Sequence, residues 1–250
     1  MRMKRLLTIA IIALLTLNAE SVLALSGDEI LKRTEEAINA PRDRTVKEKM
    51  TLIKADGTQK KRTILFYQKD SDKRLILFLL PADMKGVGFL SLSEDRMYLY
   101  MPAFRKIRRI ASHIKNENFM GTDFSYEDMA ETEYTDDYSA KIDKESAGTY
   151  TLELTPLPNA DVSYSKLKMV VDKKTFLPLK IEFYSKRGRL IKRQTSMDLK
   201  KVDNYWIVGQ VTMETIKTAH RTVLDLVEIK HDSGLSDRFF TTRNLKKLAR

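Results

Sequence analysis

From residue 42 onward, apolar and polar residues alternate with a period of two over most of the chain. In the segment 166–171, lysines alternate with Leu167, Met169 and Val171. Because successive side chains on a β-strand point to opposite faces, this pattern predicts strands with one apolar face. Turn signals such as Asp56-Gly57 recur at near-regular spacing. The chain is therefore expected to form about ten or eleven antiparallel strands in a meander.

An amphipathic helix is predicted before these strands, over Asp28–Ala40, with Ser26 or Asp28 as its cap and Pro41 after its end. A sheet with one apolar face must cover that face by closing, by stacking on a second sheet or by packing against helices. We therefore expect one mainly β domain over residues 25–250. It should be a curved, incompletely closed antiparallel β-barrel whose concave apolar face is covered by helices. Incomplete filling would leave an apolar cavity.

Residues 1–24 have the features of a secretory signal peptide. Arg2, Lys4 and Arg5 precede an apolar run from Leu6 to Leu17, and the small residue Ala24 marks the expected cleavage site. The run is shorter than the roughly 20 residues that span a bilayer, although an uncleaved anchor is an alternative. The chain has no cysteine, so it can neither form disulfides nor carry a lipid on an N-terminal cysteine. These features predict a periplasmic protein that is not itself lipidated.

The exported chain is predicted to be basic. Removing residues 1–24 takes away three basic residues and one acidic residue, which leaves 42 basic and 33 acidic residues and a net charge of +9. Such a charge favours anionic headgroups or acidic partner surfaces, although it also serves solubility. Nucleic acid is not an expected partner, because an exported chain without a binding motif has no access to it.

The sequence indicates no catalytic centre, so no enzyme activity, metal or cofactor is expected. The segment Ser163-Tyr164-Ser165-Lys166 matches Ser-x-x-Lys, but in a strand positions three apart face opposite sides. The three histidines are scattered singly. Six carboxylates lack the glycine-centred spacing of a calcium loop and are expected to form a solvated acidic loop or a docking patch for a basic partner. They are Glu127, Asp128, Glu131, Glu133, Asp136 and Asp137.

Candidate cavity residues come from one face of the alternating strands, although a filled core would use the same residues. The candidates are Leu167, Met169, Ile181, Phe183, Met197, Leu199, Val211 and Met213, with Tyr98 and Tyr100 nearer the rim. A basic run follows these tyrosines, namely Arg105, Lys106, Arg108 and Arg109. We interpret it as a rim that meets anionic headgroups or a partner, the alternative being a solvated outer face.

Three segments carry a resemblance to a known family. They are Leu-Pro-Ala-Asp-Met-Lys-Gly-Val-Gly-Phe-Leu from Leu80, Tyr-Leu-Tyr-Met-Pro-Ala-Phe-Arg-Lys-Ile-Arg-Arg-Ile from Tyr98, and Asn-Phe-Met-Gly-Thr-Asp-Phe-Ser-Tyr-Glu-Asp-Met from Asn118. Near the C-terminus, Phe240–Leu245 fits Phe-Thr-x-Arg-x-Leu. With these motifs the chain resembles the LolA-like outer membrane lipoprotein-sorting proteins over essentially all of residues 25–250.

The resemblance implies a half-open antiparallel barrel with helices at its mouth and an apolar interior. It implies a periplasmic carrier of acylated lipoproteins or other lipids. The implied partners are an inner-membrane transporter of the resistance-nodulation-division type and an acceptor at the outer membrane. We expect the helix at 28–40 to form part of the lid. A periplasmic sensor that binds envelope lipid or lipoprotein and contacts a membrane partner is the alternative function.

Overall fold

The computed structural model of the protein describes residues 25–93, 96–130 and 133–249. The predicted signal peptide and Glu131 lie outside the described residues. The sequence also predicts a hairpin turn at Ser93-Glu94-Asp95, of which residues 94 and 95 lie outside them. Within the described residues, three α-helices are present: α1 (Gly27–Ile38), α2 (Tyr126–Ala130) and α3 (Thr242–Leu248). The strands there are β1 (Asp43–Ile53), β2 (Gln59–Lys69), β3 (Lys73–Leu80), β4 (Gly88–Ser91), β5 (Met97–Met101), β6 (Lys106–Arg109), β7 (Tyr138–Glu145), β8 (Thr149–Pro156), β9 (Lys166–Asp172), β10 (Pro178–Tyr184), β11 (Leu190–Val202), β12 (Tyr205–Thr215) and β13 (His220–His231).

The strands form a single antiparallel sheet in the order β6-β5-β4-β3-β2-β1-β13-β12-β11-β10-β9-β8-β7. The chain runs outward from β1 to the edge strand β6 and crosses to the opposite edge through residues 110–137, which we call the crossing segment. It then returns from β7 to β13, which pairs with β1. The two edge strands are not neighbours in the sheet. The predicted mainly β, incompletely closed antiparallel barrel is confirmed.

The thirteen strands of the described residues exceed the predicted ten or eleven, because some strands lack an alternating pattern. Most of β7 is exposed on both faces, from Lys141 to Glu145, so only its first residues, Tyr138 and Ala140, show a buried face. The short strand β6 contains one apolar residue, Ile107, among cations. Both strands lie at sheet edges, where few side chains need to be buried.

Helix α1 packs against the sheet through Ile30 and Leu31, which are completely buried. The Ser26 side chain caps it by accepting a hydrogen bond from the Glu29 amide at 3.1 Å, one of the two caps predicted. A Cβ atom on Gly27 would lie 2.3 Å from the carbonyl oxygen of Ala140, so glycine lets the helix approach the edge strand β7. The predicted helix is confirmed, with ends that differ by one and two residues from those expected.

The outer face of the sheet has its own cluster of buried residues. On β3, Leu75 and Leu77 point outward while Ile76 and Phe78 point into the concave core. Helix α3 covers the outward side chains with Leu245. The sequence periodicity predicted only one helix. Helix α3 was missed because it buries a single side chain, Leu245, and so shows no apolar stripe. None of the helices that the structure describes is both long and apolar enough to cross a membrane.

Candidate functional site

A cavity of about 260 Å³ lies on the concave face of the sheet. This volume is close to the lower end of the range of small-molecule pockets, roughly 300–1,000 Å³. Its walls come from the end of α1, the crossing segment and strands on both sides of the β1–β13 pair. The lining residues are Ala37, Ile38, Arg44, Val46, Glu48, Phe66, Arg74, Phe124, Asp128, Met129, Tyr134, Leu177, Pro178, Ile181, Gln194, Ser196, Trp206, Ile207, Val208, Val211, Leu224, Leu226 and Ile229.

The crossing segment forms one wall of the cavity and is held by a buried carboxylate. Asp123 accepts hydrogen bonds from the hydroxyls of Thr215 at 2.6 Å and Thr222 at 2.7 Å, and its other close partner is Nδ1 of His220 at 2.7 Å. These contacts fix the segment to β12 and β13, in the middle of the sheet. Phe124, next in the sequence, lines the cavity. The segment that carries the resemblance is therefore also part of the cavity wall.

A second buried carboxylate, Asp128, ties the crossing segment to the other half of the sheet. It accepts hydrogen bonds from Lys192 Nζ at 2.9 Å, from the Tyr164 hydroxyl at 2.7 Å and from the Ser125 amide at 2.7 Å. Burial by itself raises the pKa of Asp128, but the Lys192 charge and these hydrogen bonds outweigh it and hold the pKa below its usual value. Asp128 is therefore an ionised, paired group at the cavity wall.

The predicted solvated acidic loop is wrong for Glu127, Asp128 and Asp137, whose side chains are buried. Glu127 and Asp128 are buried, because both form hydrogen bonds with the opposite wall of the barrel. Glu127 accepts from the backbone amide of Ser163 at 3.1 Å and also from the Ser163 hydroxyl. Burial raises the pKa of Glu127 despite these bonds. The serine of the Ser-x-x-Lys match is thus a structural donor to Glu127.

A polar row crosses three strands on the concave face. Arg44 on β1 is opposite Gln68 on β2, which is opposite Arg74 on β3. The Nε and Nη2 atoms of Arg44 donate to Oε1 of Gln68 at 3.1 and 2.6 Å. Gln68 is 2% exposed and in turn donates to the Asn39 side chain just beyond α1, at 2.9 Å. The guanidinium of Arg74, 3% exposed, donates to the carbonyl of Met129 at 3.2 Å.

Glu48 brings a further carboxyl group to the cavity wall. It is opposite Ile64 on β2 and Leu226 on β13, so it lies among apolar neighbours. Burial raises the pKa of Glu48 to about 7, against a smaller lowering by the charge of Arg44. Burial likewise lowers the pKa of Arg44 to about 10. No group of three or more potential metal ligands occurs among the residues that the structure describes.

The predicted cavity residues occupy different depths in the structure. Ile181 and Val211 line the cavity. Leu167, Met169, Phe183 and Met213 are buried in the main core cluster beside it. All six residues lie on the concave face of the sheet, but only Ile181 and Val211 border the open space of the cavity.

Met197 and Leu199 on β11 do not line the cavity. Gln194 and Ser196 line the cavity, so Met197 falls on the opposite face of the strand and is 51% exposed. Asp198 has a φ of 56° and is skipped in the pairing with β12, so the strand resumes its pairing with Leu199. The register is the same on both sides of Asp198, so the irregularity does not shift the pairing of the strands.

Tyr98 and Tyr100 lie on the outer face of the sheet, away from the cavity. Tyr100 belongs to the outer cluster beneath α3, and Tyr98 packs against that cluster. Leu99, between them, belongs to the concave core. The basic residues Arg105, Lys106, Arg108 and Arg109 are exposed at the edge strand β6 and its turn, and none of them lines the cavity.

The charged residues of the cavity wall were not among the predicted site residues. One signal for Glu48 was present: it shares its strand phase with Val46, Met50 and Leu52. A charged residue in phase with apolar ones indicates a polar group on a buried face. Arg44 has the same phase. Asp128 and Lys192 carried no such signal, because they meet across 64 residues of sequence.

Comparisons with known proteins extend over most of the chain. A sequence model of a family described as "Uncharacterized protein" matches residues 70–247. A domain assigned to the outer membrane lipoprotein-sorting proteins, from Vibrio parahaemolyticus, is 29% identical with a TM-score of 0.80 and covers 88% of this chain and 98% of that chain. A DUF1329 family protein from Desulfovibrio piger is 28% identical with a TM-score of 0.82, covering 88% and 97%. No curated protein matches the sequence.

A LolA superfamily protein from Nitrosomonas europaea shares the fold, with 23% identity and a TM-score of 0.74 over 88% of this chain and 99% of that chain. The fold of this chain is thus shared with these three solved structures. Because the family model covers well over half of the sequence, the chain belongs to that family. It is similar in sequence and fold to the outer membrane lipoprotein-sorting domain, and similar in fold to the LolA superfamily protein.

Proposed function

We propose that this protein is a periplasmic, non-enzymatic carrier that shields a lipid, or the acyl chains of a lipoprotein, and transfers it between the membranes of the cell envelope. The observation that carries the proposal is the cavity on the concave face. An acyl chain exposed to water costs about 0.8 kcal/mol per methylene, so a carrier need only hide the chain and release it. The proposed partners are an inner-membrane transporter of the resistance-nodulation-division type and an outer-membrane acceptor.

The walls of the cavity support an acyl ligand. Val46, Phe66, Val211, Leu224 and Leu226 bring aliphatic and aromatic surface from four strands to one space. Such walls offer dispersion contacts and few hydrogen bonds, as an acyl chain requires. Ala37 and Ile38 at the end of α1 add to the wall, so movement of that helix end would open it.

Filling the cavity should abolish binding without unfolding the protein. We expect Val211→Trp to weaken binding of cis-parinaric acid, a fluorescent fatty acid, by about tenfold or more, because the indole occupies the space of the chain. Fluorescence titration measures the affinity, and thermal unfolding verifies the fold. The matched control is Val227→Trp, since Val227 is exposed on the neighbouring strand β13. Equal affinities for Val211→Trp and the control would argue against the cavity as the binding site.

The cargo can be sought directly in the protein as cells produce it. Native mass spectrometry of protein purified from a bacterial periplasm, followed by organic extraction, should detect a bound phospholipid, lipopeptide or other acyl species. A second measurement follows transfer of that species from the protein to acceptor vesicles. A protein that carries no acyl species and binds no cis-parinaric acid would contradict the carrier function.

We also propose that the basic edge at Arg105, Lys106, Arg108 and Arg109 docks the carrier on an anionic surface. All four residues are exposed, and Phe104 beside them is 62% exposed. Basic residues near an anionic membrane contribute about 1 kcal/mol each, and an exposed aromatic ring can enter the interface. The same charges also protect β6 from pairing with another sheet, which is compatible with docking.

Vesicle sedimentation tests this docking. Replacing the four residues by Gln should reduce binding to phosphatidylglycerol-containing vesicles by about a hundredfold or more at low salt, because about 1 kcal/mol is lost per charge. Binding of the unaltered protein should also fall at high salt. The control replaces four exposed cations elsewhere, Lys186, Arg187, Arg189 and Lys201. If the control loses as much binding, net charge rather than this edge is responsible.

A further inference from the structure

We propose that the cavity takes a single acyl chain that ends in an anionic group, and that the polar row of Arg44, Gln68 and Arg74 is the binding site for that group. This inference rests on the proposed function and names the class of ligand. It separates a free fatty acid or a lysophospholipid, with a carboxylate or phosphate, from the ester- or amide-linked chains of a lipoprotein, which have no charge.

The position of the polar row at the cavity wall supports this proposal. Arg44 and Arg74 both line the cavity, and Gln68 lies between them in the sheet. Beside this row, the next inward residues on β1 and β2 are Val46 and Phe66, which also line the cavity. The cavity therefore has a cationic end next to an apolar wall. That is the arrangement that an amphiphile with a negative head requires.

Contacts with neighbouring side chains hold the Arg44 guanidinium in place. Gln68 accepts two of its five N–H donors, and the guanidinium lies over the Phe66 ring at 5.7 Å from the centroid. This positions a rigid, planar group at the cavity surface, with donors to spare for a carboxylate or a phosphate. A guanidinium fixed in advance loses little conformational entropy when it binds an anion.

The charged side chains that line the cavity also favour an anionic ligand. Arg44 contributes a cation to the cavity wall, and the Asp128 carboxylate there is paired with Lys192 at 2.9 Å. Glu48 is four residues along the strand from Arg44, about 13 Å between α-carbons in extended chain. Burial lowers the pKa of Arg44 to about 10, because it outweighs the opposing charge of Glu48. An anionic head beside the Arg44 guanidinium would offset part of this cost of burial.

A pair of probes that differ only in charge tests the proposal. Cis-parinaric acid should bind the protein about tenfold more tightly than its uncharged methyl ester. The Arg44→Gln variant should bind the acid and the ester about equally, with the ester affinity unchanged. Arg44→Lys should retain part of the preference, because it retains a cation. Competition with palmitate and with lysophosphatidic acid then distinguishes a carboxylate head from a phosphate head.

The matched control is Arg62→Gln. Like Arg44, Arg62 on β2 lies over an aromatic ring, that of Phe78. Unlike Arg44, it does not line the cavity, and its guanidinium donates to the Met120 carbonyl. This variant should keep the preference for the acid. Equal binding of acid and ester by the unaltered protein would overturn the inference and leave the carrier function standing. Failure of both probes to bind would overturn both.

Discussion

Replacing Lys192 by Met should destabilise the protein by about 3–5 kcal/mol at neutral pH, the typical cost of removing one partner from a buried ion pair. Lys192 is buried on β11 and contacts Asp128 at 2.9 Å and the Tyr164 hydroxyl at 3.2 Å. Without the lysine, Asp128 would remain at the cavity wall as an uncompensated charge, and its pKa should rise. Urea denaturation followed by circular dichroism measures the loss of unfolding free energy.

Two further variants separate this effect from a general one. Lys200→Met removes an exposed lysine from the same strand, where it pairs with Asp198 at 2.8 Å, and should cost no more than about 0.5 kcal/mol. The double variant Lys192→Met with Asp128→Asn should recover much of the lost stability, because the uncompensated charge is gone. A loss for Lys192→Met no larger than that for Lys200→Met would show that the pair does not hold the crossing segment.

Replacing Glu48 by Gln should stabilise the protein at alkaline pH by about 1–3 kcal/mol. Burial raises the pKa of Glu48 in the folded protein to about 7, compared with an ordinary value of 4.5. The folded state therefore holds this proton more tightly than the unfolded state. Stability is lost as the pH rises from about 4.5 to about 7, because ionisation of Glu48 then costs desolvation. A neutral glutamine avoids that cost.

The pH dependence distinguishes this cause from simple repacking. The advantage of Glu48→Gln should be largest at about pH 8 and should nearly vanish at about pH 4.5. Glu228→Gln, at an exposed position on the neighbouring strand β13, is the control and should change stability by less than about 0.5 kcal/mol at either pH. Urea denaturation at the two pH values measures both. A gain that is the same at both pH values would be due to packing rather than to ionisation.

The strands with one buried face could be predicted closely from the sequence. On β9, Leu167, Met169 and Val171 are buried and alternate with half-buried residues, as the period of two predicted. β10 alternates in the same way from Ile181 to Tyr184, after a shift of register near Pro178. The edge strands β6 and β7 were harder to predict, because most of their side chains are exposed on both faces. The number of strands was underestimated, whereas the open antiparallel architecture was predicted correctly.

The candidate site was harder to predict. The alternation of apolar and polar residues shows which face of the sheet a side chain lies on, but not whether that side chain borders a cavity or a filled core. Leu167 and Ile181 belong to neighbouring strands and share the concave face, yet only Ile181 lines the cavity. The polar row could not be predicted either. Arg44, Gln68 and Arg74 come together only through the registers of β1, β2 and β3.

The pairing of the first strand with the last has a consequence for how the chain folds. Of the twelve neighbouring pairs in the sheet, eleven join strands that are consecutive in the chain, and only β1–β13 joins distant ones. Each half can thus assemble rapidly from local hairpins, whereas joining the halves carries the entropy cost of closing a long loop. Until β13 is available, one side of β1 remains an unpaired strand edge. A chain that is shortened from its C-terminus should therefore aggregate rather than form a smaller barrel.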